Sequence, residues 1–209
     1  MIVVKVGGAI VGDELGELEN AVVVHGGGKQ ITEAMAEAGL RVSWVGGRRV
    51  TDDAAIGVVR GALLRVNREL CAAIGPRAVG LAGDEIGLRA TPVPELGHVG
   101  TPLPSRPQAV FDALAAGKIP VVAPLAEGPL NVNADDMAAA LAVGLGAERI
   151  VFLTDVPGVL RDEQVLAEVA AHEIESGEFE GGILPKLQAA VVAAREGVRA
   201  EIGETMVVA

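Results

Sequence analysis

The sequence AVVVHGGGKQITEAMAEA, residues Ala21–Ala38, contains the local pattern that determines the predicted fold class. Its first four residues are a short apolar run typical of a buried strand, and His25–Gly28 is a glycine-rich turn. Residues Gln30–Ala38 have the apolar spacing of an amphipathic helix. A second strand that ends in glycines, Ile2–Gly8, precedes this stretch. Two strands that each lead into a glycine turn, one of them followed by a helix, predict an α/β fold with a mainly parallel sheet.

The rest of the chain alternates predicted strands and helices in the same way. In chain order these are a hairpin within Arg41–Val50, a helix capped by Asp52 and ending near Ile74, a strand at Ala78–Leu81, two short extended pieces within Gly87–Val99, a helix at Gln108–Ala116, a strand at Ile119–Ala123, a helix at Ala134–Gly144, a strand at Ile150–Leu153, a short helix at His172–Ser176, a helix at Leu187–Glu196, and strands near Val198–Ile202 and Thr205–Val208.

Size and composition indicate one globular domain. The chain has 209 residues, of which 50% are hydrophobic, and 28 glycines accompany only three Phe, one Trp and no Tyr. This composition suits buried parallel strands and close-packed helices. No apolar run reaches the roughly 18 residues of a membrane span, and the N-terminal residues lack the pattern of a signal peptide. The single cysteine, Cys71, cannot form an internal disulfide, so we expect a reducing, cytoplasmic location.

The charge pattern restricts the class of partner. A formal net charge of −11 argues against nucleic acid or an anionic membrane as the main partner. It leaves an anionic small substrate possible, because local fields decide that. Of the lysines, Lys29 and Lys118 lie where solvated surface lysines are expected. Lys5 lies at the end of a buried strand before Gly-Gly, and Lys186 follows a glycine pair at a helix, so both are candidates for ligand contact at the edge of the sheet.

The segment LNVNADD, Leu130–Asp136, carries more polar side chains than a helix start requires. Asn133 or Ala134 is predicted to begin a helix, and Asp135 and Asp136 then lie in its first turn, where negative charge suits the helix dipole. Capping alone does not account for two amides and two carboxylates in this short segment. The surplus indicates a functional site.

The candidate residues together indicate phosphoryl transfer. Glycine turns after strands expose N–H groups to anions, although HGGG by itself fits either a structural turn or an anion cradle. Two lysines would supply positive charge to the transferred group, and Arg49 could bind a carboxylate bidentately. A carboxylate acceptor is already ionised at neutral pH, so such a reaction needs no general base. The three histidines have no metal-ligand spacing.

The chain resembles the amino-acid kinase family, and within it the N-acetylglutamate kinases of arginine biosynthesis. The motifs that carry this resemblance occur in family order: VVKVGGA at Val3–Ala9, VVVHGGGKQI at Val22–Ile31, RRVTDD at Arg48–Asp53, ELGHVG at Glu95–Gly100, NVNADD at Asn131–Asp136, LTDVPGVL at Leu153–Leu160 and GGILPKLQAA at Gly181–Ala190. The resemblance implies a three-layer αβα sandwich with a mainly parallel central sheet, the amino-acid kinase or carbamate kinase-like fold. An N-terminal substrate lobe of about 1–145 and a nucleotide lobe of about 146–209 are expected within one domain.

The resemblance also implies roles for residues at matching positions. Lys5 and Lys186 would stabilise the transferring phosphoryl group, and Asp135 would hold the two lysines. The expected substrate contacts are Gly27, Gly28, Arg49 and Asn131. The expected nucleotide contacts are Gly8, Thr154, Asp155, Gly158, Leu160, Gly181 and Gly182, with Gly8 and Gly27 offering backbone amides to phosphates. The implied ligands are N-acetyl-L-glutamate and ATP, with Mg²⁺ carried on the phosphates and no protein metal ligand.

Some features depart from the family pattern and leave alternatives open. The link between Gly8 and the second strand is too short for the family's long first helix, and the tail after Val198 is short. No extension precedes Lys5, so we expect no feedback by arginine and a homodimer built partly on the Asp52–Ile74 helix. The alternatives are a kinase of lysine biosynthesis acting on a carrier-linked substrate, and a non-catalytic sensor of an amino acid or nucleotide. A dinucleotide-dependent oxidoreductase is excluded because the chain has no GxGxxG turn.

Overall fold

A computed structural model describes residues 1–7, 15–154, 156–177 and 179–209. Two predicted nucleotide contacts, Gly8 and Asp155, lie outside these described residues. Within the described ranges, no helix combines the length and the apolar character that a bilayer crossing demands.

The described chain forms helices that alternate with short strands. The helices are α1 (Gly28–Glu37), α2 (Asp53–Ile74), α3 (Gln108–Ala115), α4 (Ala134–Leu145), α5 (Ala171–Glu175) and α6 (Leu184–Arg195), with 3₁₀ turns at Pro94–Leu96 and Gly181–Ile183. The strands are β1 (Ile2–Val6), β2 (Ala21–His25), β3 (Trp44–Val45), β4 (Arg48–Arg49), β5 (Ala78–Ala82), β6 (Ala90–Pro92), β7 (Val99–Pro102), β8 (Ile119–Ala123), β9 (Leu125–Ala126), β10 (Leu130–Val132), β11 (Arg149–Phe152), β12 (Leu160–Arg161), β13 (Gln164–Val165), β14 (Glu168–Ala170), β15 (Arg199–Ile202) and β16 (Thr205–Val208).

Eight strands form the central sheet, in the order β14-β16-β15-β11-β1-β2-β8-β5. All neighbouring pairs are parallel except β15 and β16, which are antiparallel. A smaller sheet has the order β6-β7-β10-β9, and β3 pairs with β4 in a separate hairpin. The predicted α/β class with a mainly parallel central sheet is therefore confirmed.

Alternating side chains of the strands build the three layers. Val22 and Val24 belong to the apolar core beneath α4 and α6, whereas Val23 belongs to the core on the other face, beneath α2. The same alternation places Val3 in the first core and Val4 in the second. Because successive side chains of a strand point to opposite faces, this pattern requires apolar cover on both sides of the sheet. The predicted αβα sandwich follows from it.

The sheet brings the candidate residues to one edge. The strand β1 lies between β2 and β11, so the chain extends the sheet in one direction before residue 145 and in the other direction after it. In such open parallel sheets, ligands bind outside the carboxyl ends of the strands at the point where the strand order reverses. Lys5 lies at the carboxyl end of β1, beside the end of β2 where the glycine turn begins.

Most predicted element boundaries differ from the observed ones by at most two residues, and two differ by three. The helix α6 begins at Leu184, before the predicted start at Leu187, so Lys186 lies inside its first turn. The 3₁₀ turn at Gly181–Ile183 leads directly into this helix, and Pro185 suits a first turn because no N–H is needed there. The second extended piece, β7, begins only at Val99 and continues beyond the segment assigned to it.

Candidate functional site

Asp135 joins the two candidate lysines. The Lys5 Nζ lies 3.0 Å from Asp135 Oδ1, and Lys186 Nζ donates to the same oxygen at 2.9 Å. These residues come from β1, α4 and α6, three elements that are distant in sequence. The predicted grouping of Lys5, Lys186 and Asp135 is present in the structure.

Asn133 leaves the Asp135 carboxylate available for this contact. Asn133 is the N-cap of α4, and its Oδ1 accepts from the backbone N–H of Asp135 at 2.8 Å and of Asp136 at 3.2 Å. The amide therefore satisfies the helix terminus that a carboxylate could otherwise have capped. This division of roles accounts for the surplus of polar side chains in the Leu130–Asp136 segment.

The three charged groups are largely removed from water. Their side chains are 10% exposed for Lys5, 14% for Asp135 and 12% for Lys186. Burial lowers the pKa of Lys5, Asp135 partly restores it, and the neighbouring Lys186 lowers it further. Two ammonium groups on one carboxylate carry a net positive charge when all three are ionised. A buried cluster with excess positive charge attracts a phosphoryl group, which carries negative charge on its oxygens.

A cavity of about 250 Å³ lies beside this cluster. Its lining includes Lys5 and Asp135, the glycine turn Gly26–Gly28, and the side chains of Arg49 and Asn131. All four predicted substrate contacts therefore border one cavity. Its volume fits a small molecule, and both anion-binding and apolar groups lie in its wall.

Arg49 is held rigidly in the wall of this cavity. Its Nη2 donates to Gly28 O at 3.0 Å and to Thr32 Oγ1 at 2.8 Å, and its guanidinium lies 4.3 Å from the centre of the Trp44 ring. Burial lowers the pKa of Arg49. The guanidinium is thus tied to α1 and stacked on the hairpin that carries it, which suits recognition of a carboxylate.

Thr51 links two of the cavity residues, and the sequence reasoning missed it. Its Oγ1 accepts from Asn131 Nδ2 at 3.1 Å and donates to the Arg49 carbonyl at 3.1 Å. The side chain is fully buried. The only sequence signal was its place in the RRVTDD motif, which gives no hint of a contact with Asn131 on β10.

Arg48 and Asp136 form a second connection that was not predicted. Arg48 Nη2 lies 3.4 Å from Asp136 Oδ2, and Arg48 Nη1 donates to Thr101 Oγ1 at 2.8 Å. Burial raises the pKa of Asp136, Arg48 lowers it and Asp135 raises it further. The pair ties the β3–β4 hairpin to the N-terminus of α4, next to Asp135.

The described nucleotide candidates lie apart from the 250 Å³ cavity. Thr154 lies just beyond β11, after Leu153, and Leu160 is 45% exposed on β12. Gly158 is packed so closely that a Cβ there would lie 2.6 Å from Thr205 Oγ1, which is a structural reason for glycine. Gly181 has φ +72°, a conformation that favours glycine, and Gly182 is exposed. Their contact with a nucleotide stays a prediction.

The two lysines assigned to the surface lie there. The Lys29 side chain is 85% exposed, and Lys118 is exposed while donating to the Pro76 carbonyl. Within the described part of the chain, no three His, Cys, Asp or Glu residues are grouped in a way that could hold a metal ion.

The comparisons with known proteins point to one family. The amino acid kinase family matches residues 1–204. The acetylglutamate kinase of Rubrobacter xylanophilus is 43% identical over 96% of this chain and 87% of its own length. The acetylglutamate kinase of Cereibacter sphaeroides is 39% identical, covering 97% of this chain and 79% of its own.

Solved structures share the fold. The protein smu.665 from Streptococcus mutans has a TM-score of 0.84 and 27% identity, covering 99% of this chain and 98% of its own. The carbamate kinase of Giardia lamblia bound to AMP-PNP has a TM-score of 0.69 at 15% identity, covering 99% of this chain and 97% of its own. At that identity the second likeness concerns the fold alone, and it agrees with the expected carbamate kinase-like architecture.

Proposed function

The chain belongs to the amino acid kinase family, and we propose that it phosphorylates the γ-carboxylate of N-acetyl-L-glutamate with ATP. The products are N-acetyl-L-glutamyl 5-phosphate and ADP, and the reaction belongs to arginine biosynthesis. The observation that carries this proposal is the pair of buried ammonium groups on Asp135 Oδ1, since Asp135 and Lys5 line the cavity. The relatives named acetylglutamate kinase, which match nearly the whole chain, support the choice of substrate.

The reaction forms one bond and breaks one. An oxygen of the γ-carboxylate attacks the γ-phosphorus of ATP, while the bond from that phosphorus to the β,γ-bridging oxygen breaks and its electron pair leaves on ADP. A glutamate-like carboxyl has a pKa of about 4.3 and is ionised at neutral pH. The nucleophile is therefore ready without a base, and catalysis requires positioning and charge stabilisation.

Lys5 and Lys186 supply the charge stabilisation. Negative charge on the equatorial and bridging oxygens is greatest during transfer, and preorganised cations meet it without the cost of reorganising water. Asp135 orients both ammonium groups through one oxygen. It also keeps two like charges together in a site from which most water is excluded.

The cavity would hold the acyl amino acid. Arg49 would bind the α-carboxylate, because its guanidinium is fixed in the wall by Gly28 and Thr32. Asn131 would bind a further polar group of the substrate, with its amide oriented by Thr51. Gly27 and Gly28 lie at the start of α1, where backbone N–H groups favour negative charge.

The nucleotide would occupy the other side of the switch point, in the lobe after residue 145. We propose that Thr154, Gly158, Leu160, Gly181 and Gly182 surround it, together with Gly8 and Asp155. Mg²⁺ would be carried on the phosphate oxygens and would offset their charge. The two carboxylates at the start of α4 are already paired with cations, which suits a metal ion carried on the phosphates. Asp135 Oδ1 contacts the two lysines, and Asp136 Oδ2 faces Arg48.

We also propose a cytoplasmic homodimer. The helix α2 carries apolar side chains that are only half-buried within the chain, among them Ile56 and Leu64, and these could be covered by a second copy. Cys71 is a free thiol, consistent with a reducing compartment. Light scattering on the purified protein tests the oligomer, and a monomeric mass at micromolar concentration would contradict it.

The test of the reaction is ADP release with ATP–Mg²⁺ and free N-acetyl-L-glutamate, with hydroxylamine present to trap the acyl phosphate. We expect a hydroxamate in proportion to ADP, and none with unacetylated L-glutamate. Activity only on a carrier-linked substrate would overturn the proposal in favour of the lysine-pathway reaction. Ligand binding without turnover on either substrate would favour a sensor.

A further inference from the structure

His25 is buried at the carboxyl end of β2, directly before the glycine turn, and the proposed reaction does not use its side chain. It is only 1% exposed. It borders a second cavity of about 200 Å³, and Gly26 borders both this cavity and the substrate cavity. A buried imidazole needs hydrogen-bond partners, and both ring nitrogens of His25 have one, Gly26 O and Asn67 Nδ2.

Asn67 on α2 determines which nitrogen carries the proton. Its Nδ2 donates to the Val121 carbonyl at 2.8 Å, which identifies the amide nitrogen, and lies 3.1 Å from His25 Nε2. Two donors cannot share that contact, so Nε2 accepts. The proton of a neutral imidazole is then on Nδ1, which donates to the Gly26 carbonyl at 2.8 Å. Burial lowers the pKa of His25 below its usual value, against the smaller effect of the hydrogen bond to Gly26, and the lowered pKa favours the neutral ring at neutral pH.

The hydrogen bond to Gly26 also determines where the next amide points. In a trans peptide the C=O and the following N–H point in opposite directions, and no described peptide bond is cis. With the Gly26 carbonyl held by His25, the Gly27 N–H points away from the imidazole. Gly27 borders the substrate cavity and is the N-cap of α1. Among the described residues, the Gly27 N–H meets no acceptor.

We propose that His25, oriented by Asn67, is a positioning residue that fixes the Gly26–Gly27 peptide so that the Gly27 N–H donates to the transferring phosphoryl group. This inference rests on the proposed function. The donor would act mainly when charge builds up on the phosphoryl oxygens, so its loss lowers kcat more than it raises KM. The ring touches no reacting atom and acts through the peptide.

Two substitutions separate this role from simple packing. In His25→Asn the amide nitrogen lies near the place of Nδ1 and can still donate to Gly26. In His25→Gln the longer side chain reaches toward Asn67 instead, and the donor to Gly26 is lost. We expect His25→Gln to lower kcat about 10-fold or more while KM for N-acetyl-L-glutamate changes less than about threefold. His25→Asn should keep most of the wild-type kcat, although it removes more of the ring volume.

Wild-type kcat in His25→Gln would overturn the proposal. Equal losses of activity in both variants, in proportion to equal losses of thermal stability, would show that the ring only fills space. A wild-type enzyme that forms no acyl phosphate refutes the proposed function, and the inference fails with it.

A measurement that needs no activity tests the same hydrogen bond. The chain has three histidines, so ¹⁵N NMR of the imidazoles can resolve the ring of His25. We expect the Nδ1–H tautomer at His25, and because burial lowers the pKa of this imidazole, the neutral tautomer persists as the pH falls below the usual imidazole pKa of about 6.5. The Nε2–H tautomer at His25 would overturn the proposal even if both variants were inactive.

Discussion

The Lys5 ammonium and the Asp135 carboxylate lie 3.0 Å apart, Nζ to Oδ1, although Lys5 is near the end of the first strand and Asp135 is in the first turn of the fourth helix. The same oxygen accepts from Lys186. A single carboxylate oxygen therefore sets the position of both cations. Replacing Asp135 should therefore affect both lysines at once, whereas replacing Lys5 or Lys186 removes one cation.

Asp135→Asn should lower kcat by about 10² or more, because both lysines lose the anion that orients them. Asp135 raises the pKa of Lys5 against the effect of burial, so that pKa falls further in the variant. The alkaline limb of the kcat–pH profile should therefore move to lower pH. Steady-state rates across the alkaline range check both outcomes, and an unmoved limb would contradict the assigned electrostatics.

Lys5→Ala and Lys186→Ala should each lower turnover by about 10² or more with the fold intact, the scale of losing one charge-stabilising donor. Lys29→Ala is the matched control, since that side chain is 85% exposed and forms a surface ion pair with Glu33, one helical turn away. It should leave turnover unchanged. The assay is ADP release, with circular dichroism as the check of folding. Near-normal rates in both active-site variants would refute the roles of the lysines.

Thr51→Val should raise KM for N-acetyl-L-glutamate by about 5- to 10-fold with little change in kcat. Valine keeps the β-branched shape but removes the oxygen that accepts from Asn131 Nδ2. One net hydrogen bond is worth about 1 kcal/mol, which corresponds to this factor. Thr51→Ser keeps the hydroxyl and should keep the wild-type KM. If the two variants have the same KM, Thr51 does not orient Asn131.

His25 should make the free energy of unfolding depend on pH. Its pKa is lowered in the folded state, so the unfolded chain takes up a proton first as the pH falls. The contribution of neutral His25 to the free energy of unfolding is fully present above the unfolded pKa of about 6.5. It is lost as the pH falls through the lower pKa of the folded state. Urea unfolding of the wild type and His25→Asn, from about pH 7.5 to about pH 5, measures this. The wild type should lose more stability over that range, and parallel curves would contradict the assignment.

Much of the fold could be predicted from local pattern. The capped start of α2 at Asp52, the glycine turn after β2 and the strand at β8 all depend on residues close in sequence. The boundaries that differ by three residues, at α6 and β7, depend on neighbouring elements. The helix α6 continues a 3₁₀ turn, and β7 pairs with β10, which comes from a later part of the chain.

The sequence by itself determined which chemical groups this protein has available. It placed Lys5 at a strand end, Gly26–Gly28 in a turn and Asp135 in a first helical turn, because strand and helix periodicity are local properties. Only the tertiary structure decided that Thr51 orients Asn131 and that His25 holds the Gly26 carbonyl through a tautomer set by Asn67. Hydrogen bonds of this kind join elements that sheet order and helix packing bring together. The local sequence does not indicate which distant elements will lie close together in the fold.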